Sequence, residues 1–396
     1  MAAPNHASKE FDVVVYGASG YTGRLVAEYL GQRQSDDSAI SFAMAGRNVD
    51  KLAAVRDEIG VSADTPLLKA DASDPQSLKD MCGKAKVVLT TVGPYQLYGD
   101  PLVAACVETG TDYVDLCGEP AWMRKMIDAH EGAAKESGAR IVFSCGFDSI
   151  PFDCGVLFLQ DHAKKQCGAP ATQVETVVRK MKGTFSGGTA ASLKATMTAA
   201  FQDPELVQLL KNPFALAPGH EGPRQPSGSK PVYDDQMETW LAPFIMAPIN
   251  TKNVHRTNFL LGQAYGDDFT YREMLMTGPG EKGEQVAQAV ASDNSLMSDD
   301  APKPGEGPTK EERETGHYEA LIKGHTEDGQ EVSISVSGDR DPGYGSTSKM
   351  IAESALTLVR EKADAPGGVW TPGAVLGDAL ISRLTEHAGL KFEVIQ

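Results

Sequence analysis

One segment near the start of the chain restricts the fold more than any other. Phe11 to Tyr16 is a short, Val-rich apolar run that stops at Gly17, and Tyr21 to Leu30 carries apolar residues at helical spacing. This order predicts a strand, a tight glycine turn and a helix. Between them the sequence is Gly17-Ala18-Ser19-Gly20-Tyr21-Thr22-Gly23. A chain that begins in this way is typical of an α/β protein.

The same alternation of strand and helix patterns continues to about residue 150. Further strands are predicted at Ile40–Ala45, Pro66–Ala70, Lys86–Thr91, Tyr113–Asp115 and Arg140–Ser144. Helices are predicted at Val49–Ile59, Ser77–Met81, Asp100–Thr109 and Trp122–Ser137. Because right-handed crossover helices join parallel neighbours, this order predicts a Rossmann-type, doubly wound parallel sheet.

After Pro151 the pattern changes and predicts a second, α+β domain. Tyr318–His325 and Glu331–Ser337 alternate apolar and polar residues around a tight turn, which indicates a β-hairpin and an antiparallel sheet. Ser298–Gly316 is rich in Pro, Gly, Glu and Lys and predicts a solvated linker or mobile loop. We therefore expect a nucleotide-binding domain at 1–155, a second domain at 156–365, and a C-terminal segment at 366–396 that packs back on the first domain.

The glycine turn follows a strand and opens a helix, which is the context of a dinucleotide-binding turn. Gly17 would permit the tight turn, Gly20 the approach of a pyrophosphate, and Gly23 the contact between helix and sheet. The spacing is G-x-x-G-x-x-G, as in short-chain-reductase-like folds, and a turn that binds nothing is the alternative. The predicted cofactor contacts of this turn are Gly17, Ser19, Gly20, Tyr21, Thr22 and Gly23.

The residues after the next strands predict which dinucleotide binds. Arg47 and Asn48 stand where NAD enzymes place an acidic residue, and a guanidinium there favours the 2′-phosphate of NADP, unless it is simply a surface arginine. Asp71 is predicted to contact the adenine or to cap the helix before Ser77. After the fourth strand, the loop predicted to lie beside the nicotinamide ribose is Val92-Gly93-Pro94-Tyr95.

Five polar side chains at the carboxyl edge of the predicted sheet are candidate proton donors or substrate contacts. Each is equally explained as a helix cap, a turn residue or a core residue, so no catalytic acid is assigned. They are Tyr95, Asp115, Cys117, Glu119 and Asp148.

Composition and missing motifs exclude several classes of protein. With 37 basic and 54 acidic residues the net charge is −17, which disfavours nucleic-acid binding. No window has the roughly 18 apolar residues of a membrane span, and the six cysteines lack C-x-x-C spacing, so a cytoplasmic protein with reduced thiols is expected. Neither the histidine spacing of a metal site nor hydrolase and P-loop motifs are present, so no metal is expected.

Several segments taken together resemble the saccharopine dehydrogenase-like oxidoreductases, most closely their trans-acting enoyl reductase branch. They are VVVYGASGYTG at 13–23, AGRN at 45–48, VGPY at 92–95, YVDLCGE at 113–119, CGFDSIPFD at 145–153, SGGTAAS at 186–192 and GGVWTPGA at 367–374. The resemblance implies an NADP-linked reductase that saturates a carbon–carbon double bond of an acyl or polyketide chain presented by a synthase. A reductase of imines or carbonyls, and a non-enzymatic, lipid-associated nucleotide-binding protein, are the alternatives.

An apolar run in the second domain is the predicted place for an acyl chain. Trp240–Ile249 is interrupted by two prolines, and Asn258–Leu261 adds a second apolar patch. The run is equally explained as the core of that domain or as a peripheral contact with a lipid surface. Association into a homo-oligomer is a further expectation.

Overall fold

A computed structural model describes residues 6, 9–37, 39–184, 187–298 and 306–395 of the chain. The strands are β1 (Phe11–Tyr16), β2 (Phe42–Gly46), β3 (Leu67–Lys69), β4 (Ala85–Thr90), β5 (Asp112–Val114), β6 (Arg140–Val142), β7 (Ala171–Lys182), β8 (Val232–Asp234), β9 (Thr239–Pro243), β10 (Thr270–Gly278), β11 (His317–Thr326), β12 (Glu331–Gly338), β13 (Gly368–Trp370) and β14 (Leu390–Ile395). The helices are α1 (Tyr21–Asp36), α2 (Val49–Glu58), α3 (Pro75–Lys84), α4 (Tyr95–Tyr98), α5 (Asp100–Thr109), α6 (Pro120–Ser137), α7 (Ile150–Cys167), α8 (Gly187–Gln202), α9 (Pro204–Lys211), α10 (Ala247–Leu260), α11 (Gly280–Ala291), α12 (Lys310–Thr315), α13 (Thr347–Arg360), α14 (Pro372–Val375) and α15 (Gly377–Arg383).

The first sheet is entirely parallel and has the order β3-β2-β1-β4-β5-β6-β13. Its inner strand β1 is almost completely buried, which explains why that strand has a continuous apolar sequence instead of an alternating one. The strand order reverses between β1 and β4, and the loops that leave these two strands face each other across a crevice. The predicted doubly wound sheet is confirmed.

The second sheet is mixed and has the order β14-β12-β11-β7-β10-β9-β8. Strands β7 and β10 are parallel, whereas the other neighbours are antiparallel. Strands β11 and β12 form the predicted hairpin, in which Ile322 lies opposite Ile334. The second α+β domain with an antiparallel hairpin is confirmed.

The chain passes between the two sheets more than once. After β12 it returns to the first sheet, where α13 packs on α1 and β4, and then β13 extends that sheet beside β6. It ends in β14, which pairs with β12 of the second sheet. The division of the chain at residues 155 and 365 stays a prediction.

Two local expectations differ from the structure. Helix α7 was not predicted, because Pro151 was interpreted as a boundary although proline is common in a first helical turn. Within the predicted linker, residues 310–315 form α12, and Pro308 and Arg313 contact Tyr21, although most side chains of 306–316 are exposed; residues 299–305 lie outside the described part.

Among the described residues, no helix is long and apolar enough to cross a membrane.

Candidate functional site

Two positions of the turn after β1 require glycine. Gly17 has a φ of +89°, and a Cβ atom there would lie 2.7 Å from the Val92 side chain. A Cβ atom on Gly23 would lie 2.2 Å from the carbonyl oxygen of Gly17, so the first turn of α1 could not approach the loop. Gly20 is the N-cap of α1 and supplies no side-chain acceptor, which leaves the first amides of this helix to an anion.

The side chains of the same turn differ in their surroundings. Tyr21 and Thr22 line a cavity, whereas Ser19 is partly exposed outside it. The Tyr21 hydroxyl donates to the carbonyl of Pro308 and accepts from Arg313 Nη1 at 2.8 Å, and burial raises its pKa. Its ring meets Tyr344 edge-on at 5.1 Å. Tyr21 therefore connects the turn to the second domain.

Residues after β2 and β3 form a small charged group on the surface. Arg47 is exposed, and no ion pair within the described residues uses its guanidinium. Asn48 caps α2 by accepting a hydrogen bond from the backbone of Lys51 at 2.9 Å. The Asp71 carboxylate accepts two hydrogen bonds from Ser73, which together with nearby Arg47 lower its pKa. Asp71 does not cap the next helix, because Asp74 does so.

The loop after β4 lies directly opposite the glycine turn. Val92 contacts Gly17, and Gly93 is exposed with no atom closer than 3.6 Å to the place of a Cβ atom. Pro94 precedes α4, whose first two amides, of Tyr95 and Gln96, donate to the buried Glu119 carboxylate at 2.9 Å. These hydrogen bonds fix the loop beside the crevice, at the place where the strand order reverses between β1 and β4.

A cavity of about 560 Å³ extends from these loops into the second domain. On the side of the first sheet its wall includes Gly20, Thr91, Gly93, Gly118 and Asp148. The opposite wall is mostly apolar and includes Met181, Leu193, Met197, Leu210, Phe244, Ile245, Met246, Pro248, Ile249, Pro342 and Tyr344. The second half of the predicted apolar run thus lines the same space as the loops after β1 and β4, whereas Asn258–Leu261 and the predicted cofactor contacts Arg47, Asn48 and Asp71 do not line it.

The cavity separates the five candidate acids into two groups. Tyr95 and Asp148 line it, whereas Asp115, Cys117 and Glu119 do not. The Tyr95 hydroxyl donates to Thr90 at 3.3 Å and accepts from Leu116 at 3.1 Å, so it is fixed by the backbone. No hydrogen bond from the described residues reaches the Asp148 carboxyl group, and burial raises its pKa to about 6.

The three candidates outside the cavity have structural partners. Asp115 accepts from the amides of Cys117 and Ser144 and from the Tyr113 hydroxyl, at 2.9 to 3.0 Å, and burial raises its pKa to about 7. Cys117 is completely buried, and this raises the pKa of its thiol. Glu119 binds the α4 amides described above. These contacts join the loops at the edge of the sheet.

Several cavity residues were not predicted from the sequence. Lys252 on α10 and the Pro342–Tyr344 segment have no local motif that could indicate a site, because they approach the first sheet only through the fold of the second domain. Leu193 and Met197 lie on α8, whose first residues belong to a segment used for the family resemblance. The apolar run was the one usable signal for this wall.

Known proteins resemble this chain over most of its length. Residues 13–142 match the model of the saccharopine dehydrogenase NADP-binding domain. A protein of Mycobacterium tuberculosis that is named as a trans-acting enoyl reductase is 42% identical over 95% of this chain and 96% of its own length. A trans-acting enoyl reductase of Mycobacterium ulcerans is 36% identical over 96% of this chain and 97% of its own length. The chain belongs to the trans-acting enoyl reductase family.

Family membership confirms the resemblance seen in the sequence motifs. The matching domain binds NADP, so the predicted cofactor class is confirmed and the protein is an NADP-dependent oxidoreductase. The apo saccharopine dehydrogenase of Saccharomyces cerevisiae superposes with a TM-score of 0.54 at 12% identity, over 97% of this chain and 99% of that chain. This likeness shows a shared fold.

Proposed function

We propose that this protein uses NADPH to reduce the carbon–carbon double bond of an enoyl thioester that a separate synthase presents. The observation that carries the proposal is a single continuous cavity with three parts: the open nucleotide loops, one carboxyl group without a hydrogen-bond partner among the described residues, and an apolar wall. The relatives' activity supports the same reaction.

The residues of the first sheet fit the cofactor. The first amides of α1, without a side-chain cap, would hold the diphosphate, with Gly17, Ser19, Gly20, Tyr21, Thr22 and Gly23 shaping the turn. Arg47 would pair with the 2′-phosphate, with Asn48 and Asp71 beside it. Val92 to Tyr95 would border the nicotinamide ribose. The bound cofactor supplies a hydride to the β-carbon of the substrate.

Asp148 is the residue that we propose for the proton. Reduction of an enoyl thioester requires a proton at the α-carbon after the hydride has reached the β-carbon. Asp148 lines the cavity, and a carboxyl group with a pKa of about 6 keeps part of its population protonated near neutral pH. Tyr95 and Glu119 would only hold the loop beside the reacting carbons, because the described backbone groups already occupy their polar atoms.

The apolar wall would accommodate the acyl chain. Phe244 is almost completely buried, while Ile245 keeps 47% of its surface exposed at the same wall. A chain that passes these residues would exchange water for apolar contact, which favours binding of lipid-like substrates. The synthase partner and a cytoplasmic location follow from this proposal, and six unpaired cysteines agree with a reducing compartment. Peripheral lipid contact and homo-oligomer formation stay predictions.

The test is turnover with defined thioesters. The protein is mixed with NADPH and crotonyl-N-acetylcysteamine or a longer enoyl thioester, and NADPH consumption is followed together with the mass of the product. We expect a saturated thioester, two hydrogens heavier. A keto acid with an amine is the comparison substrate. NADPH consumption with that pair alone would assign an imine reductase, and NADPH binding without turnover on any substrate would contradict an enzymatic role.

A further inference from the structure

A buried lysine in the cavity wall has no acidic partner. Lys252 on α10 is 4% exposed, and its Nζ atom donates to the carbonyl oxygens of Leu210 and Pro248, both at 2.9 Å. No carboxylate of the described residues lies within ion-pair distance. Burial alone lowers its pKa to about 8, so it remains largely charged at neutral pH.

A second buried lysine is paired with carboxylates, as buried charges usually are. Lys323 on β11 is 7% exposed, and its Nζ lies 3.9 Å from a carboxylate oxygen of Glu175 and 3.8 Å from one of Asp234. Charged groups are seldom buried unless they are paired, because water is lost without compensation. Lys252 is an exception to this pattern, and the exception lies in the cavity.

The position of the ammonium group follows from its neighbours. Pro248, Ile249 and Lys252 share one face of α10 and all line the cavity, as does Leu210, whose carbonyl binds Nζ. An ammonium group has three N–H donors, and two of them are used by the carbonyl oxygens. His255 further along the helix adds no charge, since burial lowers its pKa to about 3. One of its N–H donors therefore has no hydrogen-bond partner among the described residues, at a mostly apolar wall.

We propose that Lys252 is an anion subsite, which binds a carboxylate or phosphate oxygen of the acyl substrate at a distance from the reducible bond. The inference rests on the proposed function, because it concerns the substrate of the same cavity. Asp148 and Lys252 line the same cavity and form no ion pair with each other, so each could contact a bound ligand separately. An anion beside Lys252 would receive a charge-assisted hydrogen bond and neutralise the buried charge. The oxygen would come from the far end of the acyl chain or from the phosphopantetheine arm.

The experiment measures binding without requiring turnover. Three saturated thioesters are titrated into the NADP-saturated protein by calorimetry: octanoyl-N-acetylcysteamine, suberyl-N-acetylcysteamine and octanoyl-phosphopantetheine. The second adds a terminal carboxylate, and the third adds a phosphate on the arm. We expect one of the two anionic probes to bind about 10- to 100-fold more tightly than the neutral one, as hydrogen bonds to charged groups allow.

Lys252→Met keeps the length of the side chain and removes its charge, so it should abolish that preference while the neutral probe binds as before. Lys194→Met is the control, since Lys194 also donates to a backbone carbonyl, of Ser298, but does not line the cavity. Equal binding of all three probes, absence of binding, or an equal loss for all probes in Lys252→Met would overturn the proposal. Failure of the enoyl turnover assay, with the anion preference intact, would contradict only the proposed reaction.

Discussion

The two walls of the cavity are built in different ways. The wall of the first sheet consists of short loops that follow consecutive strands, and glycines such as Gly20 and Gly93 keep it open. The wall of the second domain consists of bulky apolar side chains from helices and strands that are far apart in the sequence. Under the proposed function, backbone groups would hold the common cofactor on one side, whereas side chains that can be exchanged would select the substrate on the other.

The largest effect is expected where the two walls meet. Asp148→Asn should lower kcat on the order of 10²–10⁴-fold and leave NADPH binding unchanged, because an amide cannot donate the required proton. In the native protein the carboxyl group must be protonated to donate, so kcat should fall as the pH rises above about 6. The pH–rate profile of the variant should lack this decrease.

Asp153→Asn is the control, since Asp153 is also a buried acid whose pKa burial raises to about 7, but it binds Thr257 and Gly373 outside the cavity. An unchanged pH profile in Asp148→Asn would assign the proton to another group.

Gly23→Ala tests whether the wall of the first sheet depends on its backbone. The new Cβ atom would lie 2.2 Å from the Gly17 carbonyl oxygen, so the turn must shift, with a loss of NADPH binding and of about 1–3 kcal/mol in the free energy of unfolding. Fluorescence titration and denaturant unfolding measure the two effects. Gly132→Ala, at an exposed position of α6 with no atom near the new Cβ, should stabilise the protein by about 0.5–1 kcal/mol. Similar behaviour of both variants would contradict the close contact.

Arg47→Ala tests the selection of the cofactor beside this wall, because Arg47 lies on the surface after β2 and does not line the cavity. The loss of a charge-assisted hydrogen bond should weaken NADPH binding about 10- to 100-fold, while NADH binding changes little. Dissociation constants for both nucleotides measure the difference. Lys51→Ala, on the following helix, serves as a neighbouring charge-removing control. Equal losses for NADPH and NADH in Arg47→Ala would show that its guanidinium does not recognise the 2′-phosphate.

The smallest effect is expected at the apolar wall. Ile245→Ala removes part of a half-exposed side chain and should raise KM roughly two- to tenfold for long enoyl thioesters, and less for crotonyl thioesters. A series of acyl chain lengths measures this dependence. Val232→Ala, a change at a similarly exposed apolar residue on β8 that does not line the cavity, should leave KM unchanged. The same shift at every chain length would mean that the acyl chain does not pass Ile245.

The sequence predicted one wall better than the other, for a physical reason. The turn at Gly17–Gly23, Arg47 and the loop at Gly93 each follow a strand of a parallel sheet, so local spacing already places them at one edge. Met181, Leu210 and Tyr344 come together only through the pairing and packing of the second domain, which no local pattern encodes. Lys252 resembles any helical lysine in the sequence, and only its burial without a carboxylate distinguishes it.

The late return of the chain to the first sheet has a consequence for fragments of this protein. Most of α13 is buried, and it covers one face of β1 and β4 although it follows the second domain in sequence. A fragment that ends near residue 155 would expose this apolar face of the sheet to water and would tend to aggregate. The nucleotide-binding domain is therefore not expected to fold as an isolated fragment. During synthesis its sheet can be completed only after nearly the whole chain has been made.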